Sequence, residues 1–143
     1  MHPKASLFLK TLRLRAFLVL CFLVFCIGTV GAVSDTLLPA NNKGITIKHT
    51  YYTLSYSEAD KQAEWVAYYL TPASINGSEK RSSKFLPDPL LSNPLGPNSY
   101  TKSGYDRGHL CPAADMKLNA VSMNESFYMS NMSPQVPALN RGI

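Results

Sequence analysis

The chain is poor in cysteine, and this scarcity limits how the protein can be stabilised. It has three cysteines, and two of them, Cys21 and Cys26, lie in an apolar stretch near the N-terminus. If that stretch is removed, Cys111 is left alone and an internal disulfide is excluded. A lone cysteine is usually a small buried hydrophobic residue, and no suitably spaced histidine or asparagine supports a thiol nucleophile. The fold must therefore rest on its hydrophobic core or on a bound metal ion.

Acidic residues are absent from the first 32 positions, which hold four basic residues. The other 111 residues carry ten Lys and Arg against nine Asp and Glu, so the formal net charge of +5 is concentrated at the N-terminus. Overall charge therefore supplies almost no attraction for nucleic acid in the rest of the chain. Any contact with phosphate must come from local clusters of basic side chains.

The N-terminal segment has the layout of an export signal. Its basic residues precede an apolar run, Ala16–Ile27, and small residues, Ala32 among them, stand behind that run. This order predicts a signal peptide at residues 1–32, cleaved after Ala32, and a secreted or periplasmic protein. The alternative is an uncleaved anchor, because residues 16–33 are 18 positions without a charge and could span a bilayer. The protein would then be membrane-anchored and face outward.

The rest of the chain indicates a linker at residues 33–47 and one domain at residues 48–143. Lys48–Tyr56 is rich in Thr and Tyr, which favours an extended strand. Trp65–Leu70 is apolar and aromatic throughout, which predicts a strand buried on both faces. A helix over Ser57–Leu70 stays open, because the first half of that segment consists of tolerant helix formers.

Residues 71–104 predict a long loop, because five prolines and three glycines interrupt them. A loop of this length in a compact domain is usually functional or mobile. Lys80, Arg81 and Lys84 place three basic residues within five positions of it. On charge alone, a solvated turn is the favoured interpretation of this cluster. Beyond the loop, Asn119–Ser126 predicts a short helix or turn.

The tetrapeptide Asp106-Arg107-Gly108-His109 permits several interpretations on its own. An adjacent Asp and Arg usually form a surface ion pair, and a single histidine is more often structural than catalytic. Gly108 lets the backbone approach another group closely. The context of the tetrapeptide decides between these interpretations.

Two segments together carry a family resemblance. Ser103–Leu110 reads SGYDRGHL, and Tyr128–Asn140 reads YMSNMSPQVPALN. Together they resemble the DNA/RNA non-specific endonuclease family, which includes secreted sugar-nonspecific nucleases and mitochondrial endonuclease G. The separation of 31 residues between His109 and Asn140 makes the paired motifs specific. The resemblance extends over about residues 51–143 through three upstream segments, Thr53–Tyr56, Trp65–Tyr68 and Arg81–Asp88.

The resemblance implies an α+β protein with the ββα-metal (His-Me finger) nuclease fold around a central, mainly antiparallel sheet. The strand bearing His109, a strand near Phe127–Ser130 and a helix beginning near Asn140 would wrap one divalent ion. By their match to the family motifs, His109 is the general base and Asn140 is the direct metal ligand. The implied cofactor is Mg²⁺, with Mn²⁺ or another divalent cation as the alternative.

The residue types suit phosphodiester hydrolysis. An imidazole can accept a proton from water near neutral pH, and a neutral carboxamide oxygen suits a hard, hydrated Mg²⁺. Arg81 matches the family's upstream arginine, and a guanidinium can bind two phosphate oxygens. Arg107 either reaches the substrate as well or only pairs with Asp106. Asn131 is expected to brace the site rather than to bind the ion.

The implied function is a sequence- and sugar-nonspecific endonuclease that acts on DNA and RNA through their phosphates, because such contacts carry no base information. Family members have a tryptophan and a Leu-Glu pair soon after the asparagine, whereas this chain ends at Ile143. We therefore expect a C-terminally truncated domain. The alternatives are an inactive fragment or non-catalytic nucleic-acid-binding relative, and a membrane-anchored interaction domain in which Asp106–His109 is only a structural turn.

Overall fold

The computed structural model describes residues 33–40 and 43–142, and the strands of this part form two antiparallel sheets. The predicted signal peptide at residues 1–32 lies outside the described residues. The first sheet has the order β1-β2-β3, with the strands Ile45–Lys48, Tyr52–Ser57 and Gln62–Tyr68. The second sheet pairs β4 with β5, which are Asp106–His109 and Met132–Gln135.

The helices of the described part are short. The α-helices α1, α2 and α3 are Pro72–Ile75, Ala120–Ser126 and Pro137–Gly142, and the 3-10 turns are Asp35–Leu37, Ala113–Asp115 and Met129–Asn131. Within the described residues, no helix has both the length and the apolar character needed to cross a bilayer. Short helices combined with antiparallel sheets form the predicted α+β class.

Strand β2 is the buried centre of the first sheet. Its aromatic and β-branched residues pack well on a pleated surface, and every residue from 52 to 56 is fully buried. β1 pairs along one edge of β2 and β3 along the other. The predicted strand Lys48–Tyr56 is therefore the end of one strand, a turn and most of a second. Residues 45–47, which were predicted to be linker, belong to β1.

Strand β3 confirms the strand predicted at Trp65–Leu70 only in part. It ends at Tyr68, and Tyr69 and Leu70 are exposed. Most of its residues are half-buried, because β2 is its only strand partner among the described residues and an antiparallel edge strand keeps one face accessible. The prediction of burial on both faces is wrong, and so is the alternative helix over Ser57–Leu70.

The segment 71–104 has little regular structure, as predicted. Pro72 opens α1, where its missing N–H costs no hydrogen bond. Leu86 forms an isolated parallel bridge with Tyr128, and Asp88 is fully buried. The middle of the loop is therefore fixed to the second half of the chain.

Strand β4 pairs with β5 so that His109 lies opposite Met132. The second strand was predicted near Phe127–Ser130, and this position is wrong. Phe127 ends α2 as its C-terminal cap, and residues 129–131 form a 3-10 turn, so the strand begins only after that turn.

The two helices that flank β5 agree with the sequence. Asn119 caps α2, because its side chain accepts a hydrogen bond from the backbone N–H of Ser122. The predicted helix or turn at Asn119–Ser126 is thus a capped helix. Helix α3 begins at Pro137, three residues before the predicted start at Asn140.

Two hydrophobic clusters form the interior of the described part. The first consists of Ile47, Tyr52, Leu54, Tyr56, Leu91, Cys111 and Met116. The second consists of Ala113, Met123 and Phe127, with Phe85 packed against it. The expected burial of Cys111 is confirmed, and burial raises the pKa of its thiol, which disfavours the reactive thiolate.

Candidate active site

His109 ends strand β4 and lies against two phenylalanine rings. Its ring centroid is 4.8 Å from that of Phe127, with the rings edge to face at 80°, and 5.9 Å from that of Phe85. The two phenylalanine rings also contact each other at 5.1 Å. These separations are typical of packed aromatic side chains. Phe85 and Phe127 therefore form an apolar slot for the imidazole, named here the phenylalanine slot.

One nitrogen of this imidazole has no partner. Nε2 of His109 is buried, and no described residue makes a hydrogen bond with it. Burial disfavours the charged imidazolium, and the positive charge of Arg81 acts in the same direction, so the pKa of His109 is lowered to about 4. The imidazole is therefore neutral at pH 7. A buried polar atom without a partner is uncommon in folded proteins, and one explanation is a role in catalysis.

The two arginines predicted to bind substrate lie over the rings of the same slot. The guanidinium carbon of Arg107 is 4.0 Å from the centroid of Phe85, and that of Arg81 is 5.1 Å from the centroid of Phe127. Both distances are within the range of cation–π interactions. The structure thus places two positive charges beside His109.

Arg107 does not pair with Asp106, although the two are adjacent in sequence. Successive side chains of a strand point to opposite faces, which separates the two groups. The Nη1 atom of Arg107 donates instead to the carbonyl oxygen of Pro97 at 2.7 Å. Of the two alternatives for Arg107, the ion pair with Asp106 is therefore wrong, and the guanidinium lies over the ring of Phe85.

Asp106 connects the beginning of β4 to helix α3. Asn140 Nδ2 donates to Asp106 Oδ2 at 3.1 Å, and Arg141 Nε donates to the same oxygen at 2.6 Å. Nη2 of Arg141 donates to the other carboxylate oxygen. The bonds from Arg141, followed by the bond from Asn140, hold the pKa of the Asp106 carboxyl below its usual value. The carboxylate thereby fixes the Asn140 side chain beside β4.

Strand β4 connects the predicted base to the predicted metal ligand. His109 is the last residue of β4, and Asp106, which holds Asn140 of helix α3, is the first. In the described part of the chain, no hydrogen bond joins His109 and Asn140. The base therefore ends the strand, and the metal ligand is held beside its beginning.

The side chains around Asn140 fit a hydrated cation better than an enclosed one. The bond from Asn140 to Asp106 uses the amide nitrogen. The amide oxygen, Oδ1, receives no hydrogen bond from any described residue. The described residues contain no group of three or more His, Cys, Asp and Glu that could hold a metal. Mg²⁺ commonly takes one or two protein oxygens and keeps several waters. One free amide oxygen meets that requirement.

Asn131 is fully buried, and its side-chain amide is used inside the protein. Its Oδ1 accepts a hydrogen bond from the backbone N–H of Cys111 at 2.8 Å. Its Nδ2 donates to the carbonyl oxygens of Cys111 and Ser126, at 3.0 and 2.8 Å. These bonds connect the chain just after His109 to the end of helix α2.

Gly108 leaves room for the side chain of Gln135 on β5. A Cβ atom at this position would lie 2.0 Å from the side-chain carbon Cδ of Gln135. A larger residue would therefore displace that side chain. This explains the glycine of the tetrapeptide through packing rather than through chemistry.

Backbone hydrogen bonds hold the two sides of the phenylalanine slot together. The N–H of Leu86 donates to the carbonyl oxygen of Phe127 at 3.1 Å, and the N–H of Met129 donates to that of Leu86 at 2.9 Å. Phe85 is the neighbour of Leu86, so its ring is fixed next to Phe127. The only sequence signal for this role of Phe85 is its place in the family-like segment Arg81–Asp88.

A buried carboxylate, which the sequence did not indicate as structural, fixes the same loop. Asp88 Oδ2 accepts a hydrogen bond from Ser130 Oγ at 2.5 Å and lies 3.0 Å from His49 Nε2. Asp88 Oδ1 accepts from the N–H of Leu90 at 2.9 Å. Burial alone would raise the pKa of this carboxyl, but the hydrogen bonds outweigh burial and lower it.

Comparisons with known proteins give a consistent result. Residues 31–143 match the family model described as DNA/RNA non-specific endonuclease. Nuclease C1 of Cunninghamella echinulata var. echinulata is 35% identical over 113 residues, which cover 72% of this chain and 44% of that protein. A nuclease of Nostoc sp. is 38% identical over 116 residues, which cover 78% of this chain and 40% of that protein.

A solved structure agrees with these relatives. The crystal structure of an EndoG/EndoGI complex, described as showing the mechanism of EndoG inhibition, matches with a TM-score of 0.65 and 34% sequence identity. The match covers 73% of this chain and 44% of the other. The chain thus spans less than half of the length of the proteins that it matches.

Proposed function

The chain belongs to the DNA/RNA non-specific endonuclease family and has its α+β, ββα-metal type of fold, and on this basis we propose that the protein is an endonuclease that hydrolyses phosphodiester bonds in DNA and RNA. The observation that carries the proposal is the neutral imidazole of His109, which packs against two phenylalanine rings that two guanidinium groups cover. A phosphate with an attacking water needs such a combination of base and positive charge.

His109 acts as the general base in this proposal. The neutral imidazole accepts the proton of the water that attacks phosphorus through one of its ring nitrogens. The phenylalanine slot keeps the ring in place and keeps it uncharged before the substrate arrives. When a phosphate binds to Arg81, its negative charge offsets the guanidinium and raises the pKa of His109 towards its ordinary value. The base thereby becomes stronger when the substrate is present.

Arg81 and Arg107 hold the phosphate in this proposal. Each guanidinium offers a planar pair of N–H donors that matches two phosphate oxygens. Negative charge increases on those oxygens as the water attacks, so fixed positive charges lower the barrier. Arg107 is anchored by Pro97 and Phe85, which reduces the cost of ordering it.

Asn140 would hold the divalent cation through its Oδ1 atom, and Asp106 orients this amide. A bound Mg²⁺, or Mn²⁺ or another divalent cation in its place, would supply positive charge at the phosphate and at the leaving oxygen. Asn131 positions the chain after His109 and has no amide atom left for the ion.

Contacts to phosphate carry no base information, so cleavage would depend little on sequence or on the sugar. DNA and RNA are therefore the proposed partners. We further propose export to a secreted or periplasmic location, with a membrane anchor facing outward as the alternative. N-terminal sequencing of the exported protein distinguishes the two, because export with cleavage gives a mature chain that begins at Val33.

The experiment is a digestion assay on single-stranded DNA and RNA with Mg²⁺, with EDTA and with His109→Ala. We expect cleavage of both substrates, its loss in EDTA, and a loss of about 10²- to 10⁴-fold in the variant. Asn140→Ala should lose cleavage as well, whereas Asn124→Ala, an exposed asparagine on α2, serves as the matched control. Binding without cleavage by the wild-type protein would favour the non-catalytic relative instead.

A further inference from the structure

A cavity opens beside Arg81. Its volume is about 220 Å³, and its lining residues are Arg81, Ala113, Ala114, Lys117 and Met123. Pockets that enclose a whole small-molecule ligand are larger, at about 300–1,000 Å³. A cavity of this size suits one unit of a polymer better than a complete small ligand.

The cavity shares its inner wall with the phenylalanine slot. Ala113 and Met123 form one hydrophobic cluster with Phe127, and Phe127 contacts the ring of His109. Arg81 belongs to both places, because its guanidinium lies over Phe127 and its side chain lines the cavity. A strand of nucleic acid whose phosphate is held by Arg81 would therefore have its next unit beside this cavity.

Lys117 stands at a fixed position on the cavity wall. Its N–H donates to the carbonyl oxygen of Ser74 at 3.2 Å, and its own carbonyl oxygen accepts from the N–H of Glu79 at 3.1 Å. Gly77 passes so close that a Cβ atom there would lie 1.9 Å from the Lys117 carbonyl oxygen. The backbone is thus held on both sides.

The ammonium group of Lys117 forms no ion pair with a described residue and can bind an anion. Among the ion pairs of the described residues, none involves the Lys117 ammonium, and no acidic side chain lines the cavity. The cavity therefore combines two cations with a floor of two alanines and a methionine. This combination complements a phosphate attached to an apolar group.

The geometry points to a second nucleotide subsite in this cavity, in which Lys117 binds the phosphate next to the scissile one. The apolar floor receives the sugar or base of that nucleotide without hydrogen bonds to the base edge, so the subsite accepts any sequence. This inference rests on the proposed nuclease function, and it adds Lys117 as a substrate-binding residue that the sequence did not single out.

The test compares a long and a short substrate in the full-length protein. A 12-nucleotide single strand fills both phosphate positions, whereas a dinucleoside monophosphate has only the scissile phosphate. Lys117→Ala should lower kcat/KM about tenfold on the 12-mer, mainly through KM, because it removes one charge-assisted contact. It should leave kcat/KM on the dinucleoside unchanged. Lys117→Arg should retain most of the activity. Lys43→Ala, at an exposed lysine two residues before β1, should change the cleavage of neither substrate.

Two outcomes would overturn the subsite. One is unchanged cleavage of the 12-mer by Lys117→Ala, and the other is an equal loss on both substrates, which would indicate a structural role or contact with the scissile phosphate itself. A binding measurement tests the subsite without cleavage, so its outcome does not depend on the proposed nuclease activity. In the His109→Ala background, Lys117→Ala should reduce the slope of log affinity against log salt by roughly 0.7 for a single strand. A wild-type protein that cleaves neither substrate would count against the nuclease proposal, while the salt slope still decides on the cavity.

Discussion

His49 and His109 lie in similar aromatic surroundings but have opposite hydrogen-bonding states. His49 contacts the rings of Tyr52 and Tyr128, at 4.6 and 5.2 Å, and its Nε2 lies 3.0 Å from a buried carboxylate oxygen of Asp88. His109 contacts two phenylalanines, and its Nε2 has no partner among the described residues. The first histidine is fixed by a hydrogen bond, whereas the second is held by its ring contacts.

The comparison shows that one protein can use one buried histidine to stabilise its fold and leave a nitrogen of another without a partner. A buried donor or acceptor without a partner costs about 1–3 kcal/mol, so His109 is held at a cost that the rest of the fold must offset. The network of Asp88 with His49 and Ser130 contributes to that stability and also fixes the loop that carries Phe85. The stable region therefore positions the reactive one.

The largest expected effect separates the two histidines by activity. His109→Gln should reduce cleavage about 10²- to 10⁴-fold, because a glutamine amide cannot accept the proton of the attacking water. Its melting temperature should fall only by a few degrees, since the ring contacts with Phe85 and Phe127 are lost but no hydrogen bond is. His49→Gln should keep its activity at a temperature where it is folded. Parallel kinetics and thermal melts check both variants, and an equal loss of activity in the two would remove the distinction.

The next effect concerns stability. Asp88→Asn should lower the free energy of unfolding by about 1–3 kcal/mol, because an amide NH₂ in place of Oδ2 cannot accept the hydrogen bond from Ser130. Denaturant unfolding measures this change, and the exposed Asp60→Asn is the control. If Asp88→Asn were as stable as the wild type, the carboxylate would not be the support of the loop.

A smaller effect concerns the phenylalanine slot. Phe85→Leu should leave space for water beside His109, which weakens the main cause of the lowered pKa. The base works only when neutral, so cleavage is lost as the pH falls through the pKa of His109. The acid limb of kcat/KM, which reports the free enzyme, should therefore move up from about 4 towards 6.5. An unmoved limb would mean that the slot does not control the imidazole.

The smallest expected effect comes from the charge of Arg81, which is the second cause of the lowered pKa of His109. Arg81→Gln removes a positive charge near His109 and should also move the acid limb of kcat/KM upward, by less than Phe85→Leu. It should raise KM as well, because the guanidinium holds the phosphate in our proposal. A downward shift of the acid limb would contradict the electrostatic interpretation.

The sequence predicted the family better than the strands. The tetrapeptide and the asparagine motif together carry the resemblance that the comparisons confirm, because their spacing is specific. The second strand was placed too early, because Phe127-Tyr128-Met129 has strand-like residues while the cap of α2 and the following 3-10 turn decide the local structure. Local propensity does not show such tertiary constraints.

The surroundings of the base were beyond sequence reasoning for a different reason. The phenylalanine slot joins Phe85 to Phe127 across 42 positions, and a hydrogen bond joins His49 to Asp88 across 39. Nothing in the neighbouring residues encodes either contact. The same holds for Asp106, because the sequence offered the adjacent Arg107 as one alternative partner, whereas its partners in the structure lie on α3.

The most direct test of the account is an NMR titration of the His109 imidazole in the free protein, with His109→Gln to assign its signal. Burial in the phenylalanine slot and the charge of Arg81 predict a midpoint of about 4, so the ring is uncharged throughout the neutral range. A midpoint at or above the ordinary value of about 6.5 would show an imidazole that is hydrated or paired, and would contradict the central claim.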